Sequence, residues 1–176
     1  MLLLFNTMKR STTFSSKVYK FVHYEDVWIK TNLTGREFDK DKNSWLTIEN
    51  DGTITVKGSN PGGYAWDGCS PKWNCLHITW GTPDGKLDYN TEKPMTYYAS
   101  MIHDAIYQYK NLATISRKEA DILLKLILKK AKYMWWWKYA LGVRVFGGFY
   151  GKWNRKGCQS RIKITEYSWL LDINNN

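Results

Sequence analysis

Four residues have the types and the spacing that acid–base chemistry requires. His103 and Tyr107 are four positions apart, so on a helix they lie on the same face. Asp104 follows His103 and is turned by about 100° from it around the helix axis. Asp121 lies at the start of the next segment with helical periodicity. If the two helices are antiparallel neighbours, the carboxylate of Asp121 can face the imidazole of His103.

A carboxylate beside an imidazole is the arrangement that a general base requires. One ring nitrogen of His103 would accept a proton, while Asp121 would bind the other nitrogen, fix the tautomer and stabilise the imidazolium ion. Tyr107 would hold Asp121 by a hydrogen bond, which leaves Asp104 to bind a metal ion or a substrate group. The alternative interpretation is that the same side chains form a satisfied polar network that fixes the register of two helices.

The order of several short motifs resembles that in an uncharacterised phage and prophage family, the domain of unknown function 1353. The motifs cover about residues 62–150 and are Asp67-Gly68-Cys69-Ser70-Pro71-Lys72-Trp73, Gly81-Thr-Pro-Asp-Gly85, His103-Asp104-x-x-Tyr107, Ser116-Arg117-x-x-Ala120-Asp121 and Arg144-x-Phe146-Gly147-Gly148. The family usually has Asp-Gly-Ala-Ser-Ile-Pro in the first motif, whereas this chain has Cys69 for Ala and lacks the Ile. The resemblance implies a phage-type protein in the host cytoplasm or the virion, with other phage proteins as candidate partners.

The helix pair also resembles the catalytic core of phospholipases of the A-two type, which carry His-Asp-x-x-Tyr on one helix and an Asp on the antiparallel one. This resemblance implies that His103 activates water, that Asp121 orients His103 and that Asp104 holds calcium. The ion would polarise the ester carbonyl and stabilise the oxyanion. Asp67, in a turn with Gly68, is the second candidate metal ligand. The Gly-rich calcium loop that normally lies just before the helix is absent, and so are its disulfides. Backbone carbonyls of Gly62-Gly63 or of Trp66-Asp67-Gly68 are the candidates to complete the calcium shell instead.

The positive charge is concentrated in one part of the chain. The formal net charge is +10, and residues 110–163 alone hold 14 Lys and Arg but only two Asp and Glu. The same segment contains Met134-Trp135-Trp136-Trp137. Trp beside Lys and Arg predicts an anionic membrane surface or phospholipid as a partner. Two alternatives remain: the aromatic run is a buried helix, or the basic segment binds nucleic acid, although the sequence contains no nucleic-acid reader motif.

The N-terminal half has the pattern of short strands. Residues 17–31 are rich in β-branched and aromatic residues and predict a strand. Trp45–Glu49 and Thr53–Lys57 flank Asn50-Asp51-Gly52, which predicts a β-hairpin because Asp-Gly suits a tight turn. Residues 58–93 hold three of the four Pro and many Gly, so we expect irregular chain there.

Helical periodicity begins after Pro94. Apolar residues recur at intervals of three and four as far as Lys110. Ser116 and Glu119 form a capping box that begins a second helix. A third helical stretch is predicted over 134–149, broken by Gly142. The predicted class is α+β, with a small antiparallel β-sheet in the N-terminal half packed with a Gly/Pro-rich middle and three C-terminal helices.

We expect one globular domain over 17–163, preceded by a flexible arm at 1–16 and followed by a tail at 164–176. Met1–Phe5 is too short for the core of a signal peptide, and no stretch is long and uncharged enough to form a transmembrane helix. Three cysteines do not predict a disulfide framework. Zinc held by Cys69, Cys75, His77 and Cys158 would match no familiar ligand spacing.

Overall fold

The computed structural model describes residues 19–41, 43–68, 84–145, 153 and 157–170, and the backbone alone of 73–75, 78–80, 146 and 171. Within these residues the chain forms small antiparallel sheets and helices in a mixed arrangement. The predicted α+β class is therefore confirmed. The proposed arm at 1–16 and the last residues, 172–176, lie outside the described part of the chain.

The main sheet has five antiparallel strands in the order β3-β4-β5-β2-β9. They are β2 (Asp26–Thr31), β3 (Phe38–Asp39), β4 (Leu46–Ile48), β5 (Thr53–Lys57) and β9 (Ile164–Tyr167). The predicted hairpin is β4–β5, with Leu46 opposite Val56. Its turn needs Gly52, which has a φ of +89° and whose added Cβ would clash with the carbonyl of Thr31.

Two smaller sheets contain strands that we did not predict individually from the sequence. β1 (Phe21–His23) pairs with β6 (Tyr64–Trp66), and β7 (Trp73–Cys75) pairs with β8 (Ile78–Trp80). The strand predicted over 17–31 is therefore two strands in different sheets, and the irregular segment at 58–93 contains three short strands. Aromatic packing explains the first sheet, because the ring of Phe21 contacts Trp66 at 5.4 Å between centroids.

Residues 164–171 are not a tail. Ile164–Tyr167 forms β9 on the outer side of β2, and Ser168–Leu171 forms the short helix α4. The side chain of Tyr167 is buried, and Trp169 stacks on Tyr98 with ring centroids 4.2 Å apart. Burying these large rings stabilises the segment against the sheet and the first helix, which is why the tail prediction is wrong here.

Three longer helices follow the strands: α1 (Tyr97–Gln108), α2 (Arg117–Lys130) and α3 (Trp136–Phe146). α2 packs between α1 and α3. The predicted break at Gly142 is wrong, because α3 continues through it. A helical Gly costs about 1 kcal/mol relative to Ala, which is too little to end a packed helix. None of the described helices is both long and apolar enough to cross a bilayer.

The core lies between the main sheet and the inner faces of α1 and α2. Its fully buried members come from both layers, and the largest are Ile29, Leu33, Leu46, Ile48, Ile54, Met101, Ile102, Ile106, Ile115, Leu123, Leu124 and Leu128. Because α1 and α2 are fixed by this packing, the polar residues on their facing turns are held in defined positions.

Candidate functional site

The first turn of α2 is fixed from several directions. Ser116 and Glu119 form the predicted capping box, with the Ser116 amide donating to Glu119 Oε2 at 2.8 Å. The carboxylate of Glu119 is fully buried and also accepts both Nη groups of Arg36 at 2.8 Å and the amide of Gln159. Burial raises the pKa of Glu119, but these donors lower it by more, so the carboxylate stays charged. This anchor positions Asp121, half a turn further along α2.

Asp121 meets His103 and Tyr107 across the α1–α2 interface. Nε2 of His103 lies 3.3 Å from Oδ1 of Asp121, and the hydroxyl of Tyr107 donates to the same oxygen at 2.7 Å. The rings of His103 and Tyr107 lie 4.1 Å apart, as expected for residues one helical turn apart. The predicted convergence of these three side chains is therefore confirmed.

The other carboxylate oxygen of Asp121, Oδ2, lies near two arginines. We did not predict either as a site residue. Nη1 of Arg144 on α3 donates to Oδ2 at 3.2 Å, and Nε of Arg117 lies 3.8 Å from the same atom. Nη2 of Arg117 also donates to the carbonyl of Arg144 at 2.6 Å. The i, i+4 spacing of Arg117 and Asp121 was a usable signal. Arg144 stands in one of the motifs of the phage-family resemblance, but the motif does not predict its contact with Asp121, because that contact depends on how α3 packs.

The network is buried from solvent, and its surroundings favour charged forms of its side chains. His103 is 7% exposed and Asp121 is 5% exposed. Burial lowers the pKa of His103, but the carboxylates of Asp104 and Asp121 together raise it above its ordinary value. Burial raises the pKa of Asp121, and the hydrogen bonds from His103, Tyr107 and Arg144 bring it below its ordinary value. The surroundings therefore favour an imidazolium–carboxylate pair.

Asp104 lies on the other side of the imidazole. Its Oδ1 is 3.8 Å from Nδ1 of His103, which is longer than a hydrogen bond, and its side chain is 30% exposed. Asp104 is also close enough to Tyr64 that its charge, after the larger effect of burial, raises the pKa of that phenol. The His103 ring thus lies between two carboxylates, one buried beside Nε2 and one nearer to solvent beside Nδ1.

A metal site is not assembled by the side chains of the described residues, among which no group of three or more His, Cys, Asp and Glu could hold an ion. Calcium bound by Asp104 and Asp67 therefore stays a prediction. Of the four candidate zinc ligands, Cys69 and His77 lie outside the described residues. Cys158 carries a free thiol, which contacts the carbonyl of Gln159 at 3.3 Å.

Aromatic packing encloses one side of the network. Trp153 contacts Tyr107 edge to face, with ring centroids 4.9 Å apart. A cleft of about 580 Å³ lies elsewhere, between the β1–β2 region and α4, and its lining includes His23, Tyr98 and Trp169. None of the residues that line this cleft belongs to the His103 network.

No family model, no curated protein and no solved structure matches this chain. The resemblance to the phage family and to phospholipases of the A-two type therefore stays a prediction. The function of the protein is therefore inferred from the geometry around His103 and from the surface of the helices.

Proposed function

We propose that the chain is a lipid ester hydrolase of the phospholipase A-two type, in which His103 is the general base. The observation that carries this proposal is the orientation of the imidazole. Nε2 lies 3.3 Å from the buried Asp121, whereas Nδ1 lies 3.8 Å from the partly exposed carboxylate of Asp104. A base held through one nitrogen, with water at the other, is the arrangement that water activation requires, so a water molecule has to reach Nδ1 of a side chain that is 7% exposed.

The reaction would use the network as follows. Nδ1 of His103 removes a proton from water as its oxygen attacks the ester carbonyl, and the bond to the leaving alcohol then breaks as His103 returns the proton to it. Asp121 stabilises the imidazolium that forms in between, and Tyr107 holds Asp121 in place. Because only a neutral imidazole accepts the proton, the raised pKa of His103 favours activity on the alkaline side.

Calcium is part of the proposal but not of the steps above. Bound by Asp104, with Asp67 as a second ligand, it would polarise the ester carbonyl. Among the described residues the side chains do not form a complete set of ligands, so the carbonyl's activation is not assigned to the ion. Comparing hydrolysis with calcium and with a chelator decides whether the ion takes part.

A non-catalytic phage component, virion-associated or host-directed, is the second candidate function. The burial of His103 and the pairing of Asp121 with Arg144 and Arg117 favour it. In this case the network fixes α1, α2 and α3 relative to one another, and removing one buried partner costs about 1–3 kcal/mol of stability.

The test is ester hydrolysis on mixed phospholipid vesicles, with calcium or with a chelator, beside thermal melts. His103→Gln should lower the rate about 100-fold or more, because Gln cannot act as a base near neutral pH. Asp121→Asn should also lower it, and Asp104→Asn should do so only if calcium takes part. His23→Gln, the same substitution outside the network, is the matched control and should keep activity.

Two results separate the candidate functions. Hydrolysis by the parent protein that is lost in His103→Gln, measured below the melting temperature of the variant, supports the hydrolase. No hydrolysis by the parent under either condition contradicts it. Large losses of melting temperature in His103→Gln and Asp121→Asn, together with that inactivity, support the structural role.

A further inference from the structure

The outer face of α3 carries an apolar stripe that the fold leaves uncovered. Met134, just before the helix, is 77% exposed, and Trp137, Leu141 and Val145 are 51%, 57% and 54% exposed. Their spacing of three and four places them along one side of the helix. Tyr139 is buried on the opposite side. The alternative of a buried helix therefore holds for the inner face of α3, which packs against the core, and is wrong for its outer face.

Lysine ammonium groups accompany these aromatic rings. Nζ of Lys138 lies 3.8 Å from the centroid of the Trp135 ring, and Nζ of Lys129 lies 4.2 Å from that of Trp136. Lys138 also lies over Trp137 of the stripe, at 5.5 Å, so it holds positive charge at the edge of the stripe. Trp136 and Lys129 lie on the other side of α3, where Trp136 packs against the core. The stripe therefore combines exposed apolar side chains with one fixed cation, Lys138, at its edge.

Few acidic residues belong to the segment that carries these cations. The only acidic residues in 110–163 are Glu119 and Asp121. Both are buried, Glu119 against Arg36 and Asp121 against His103 and Arg144. The described surface of this segment therefore presents basic side chains without exposed carboxylates of its own.

We propose that the outer face of α3 docks on an anionic phospholipid bilayer. The apolar stripe would enter the boundary between headgroups and acyl chains, while Lys138 at its edge contacts the phosphates. A second copy of the chain fits less well, because two faces of the same positive charge repel each other. Nucleic acid also fits less well, because Leu141 and Val145 offer neither stacking planes nor hydrogen bonds, and cations already lie over Trp135 and Trp136.

Docking requires no chemistry at His103, so this proposal does not depend on the hydrolase. Arg144 belongs to α3 and donates to Asp121, so the docking helix is in direct contact with the His103 network.

The test is flotation of the full chain with vesicles of phosphatidylcholine alone and with phosphatidylglycerol added. We expect binding to the mixed vesicles, little binding to the neutral ones, and loss of binding as salt is raised. Leu141→Glu should weaken binding by about tenfold or more. The change removes apolar area that the bilayer would bury, and it adds a negative charge that the anionic headgroups repel. Lys138→Gln should weaken it about fivefold.

The matched control is Leu112→Glu. Leu112 is 54% exposed and lies in the connection between α1 and α2 rather than on α3, so its replacement should leave binding unchanged. Thermal melts should show that all three variants stay folded, because the replaced side chains are exposed. His103→Gln, assayed below its melting temperature, should bind vesicles as the parent does. Loss of hydrolysis and loss of docking can therefore be told apart.

Several outcomes overturn the proposal. Absence of vesicle binding, equal binding to neutral and anionic vesicles, or equal effects of Leu141→Glu and Leu112→Glu would each do so. Binding to single-stranded DNA without vesicle binding would assign the surface to nucleic acid instead. A dimer that Leu141→Glu dissociates, again without vesicle binding, would assign it to a second copy of the chain.

Discussion

At the scale of single residues, the imidazole of His103 has two properties that oppose each other. Its flanking carboxylates raise its pKa and so stabilise the protonated ring. A general base, however, must be neutral before it can accept a proton. We therefore expect folding stability and hydrolytic activity to depend on pH in opposite directions across the titration of this one group.

The pH dependence of stability is the prediction that follows. A His with a folded pKa above 6.5 contributes stability that is fully present below pH 6.5 and is lost as pH rises through the folded pKa. Asp121, with a folded pKa below 3.8, contributes stability that is present above pH 3.8 and is lost as pH falls through its folded pKa. Melting temperatures of the parent and of His103→Gln, compared from acid to alkaline pH, measure the effect.

The difference between the two melting curves isolates His103 from other groups. His23 has a lowered pKa, chiefly because it is buried, so its contribution changes with pH in the opposite sense. It is the same in both proteins and cancels. The advantage of the parent over His103→Gln should shrink as pH rises above 6.5. An advantage that is constant or grows with pH would contradict the raised pKa.

At the scale of elements, the start of α2 is the part of the fold that positions the network. Its capping box could be predicted from Ser116 and Glu119 because both partners are local in sequence. The second role of Glu119, as the buried partner of Arg36, could not be predicted, because 83 residues separate them. Hydrogen bonds between residues close in sequence can thus be predicted from the sequence, whereas pairs far apart in sequence depend on the packed fold.

Breaking that pair should be costly. Arg36→Met leaves the carboxylate of Glu119 buried without its guanidinium, and we expect a loss of about 3–5 kcal/mol in the free energy of unfolding. Lys57→Met is the control, because Lys57 pairs with the more exposed Asp39 at 3.5 Å and such pairs contribute little. Denaturant titration measures both. Equal losses in the two variants would contradict the role assigned to Arg36.

The same distinction explains which elements were predicted. The β4–β5 hairpin and the helices α1 and α2 were predicted because turn residues and apolar spacing are local signals. β9 was missed because its residues alternate poorly and its partner strand, β2, lies far away in sequence. In the site, the convergence of His103, Tyr107 and Asp121 followed from helix geometry. Whether they carry out catalysis does not follow from geometry or from spacing.

At the scale of the whole molecule, the distribution of charge follows the division of the fold. The two acidic residues of 110–163 are buried against Arg36, His103 and Arg144, so the described surface of this segment has basic side chains and no carboxylate of its own. The apolar stripe of α3 lies in this same part of the chain. Sequence alone gave the excess charge, but only the fold shows that its counter-charges are buried.

The C-terminal segment connects the two layers of the molecule. β9 extends the sheet beyond β2, while Trp169 of α4 stacks on Tyr98 of α1. The C-terminal segment thereby contacts β2 and α1, which are both far from it in sequence. Removing the segment would also leave the backbone groups of β2 unpaired along that edge.

Truncation tests this connection. A chain ending at Lys163 should lose at least about 3 kcal/mol of stability, because it loses the burial of Tyr167 and Trp169, and it should aggregate more readily through the uncovered edge of β2. A chain ending at Leu171 is the matched control, because it keeps β9 and α4. Denaturant unfolding and light scattering compare the two with the full chain. If the chain ending at Lys163 is as stable as the one ending at Leu171, β9 and α4 contribute nothing to the stability of the fold, and the segment behaves as a tail after all.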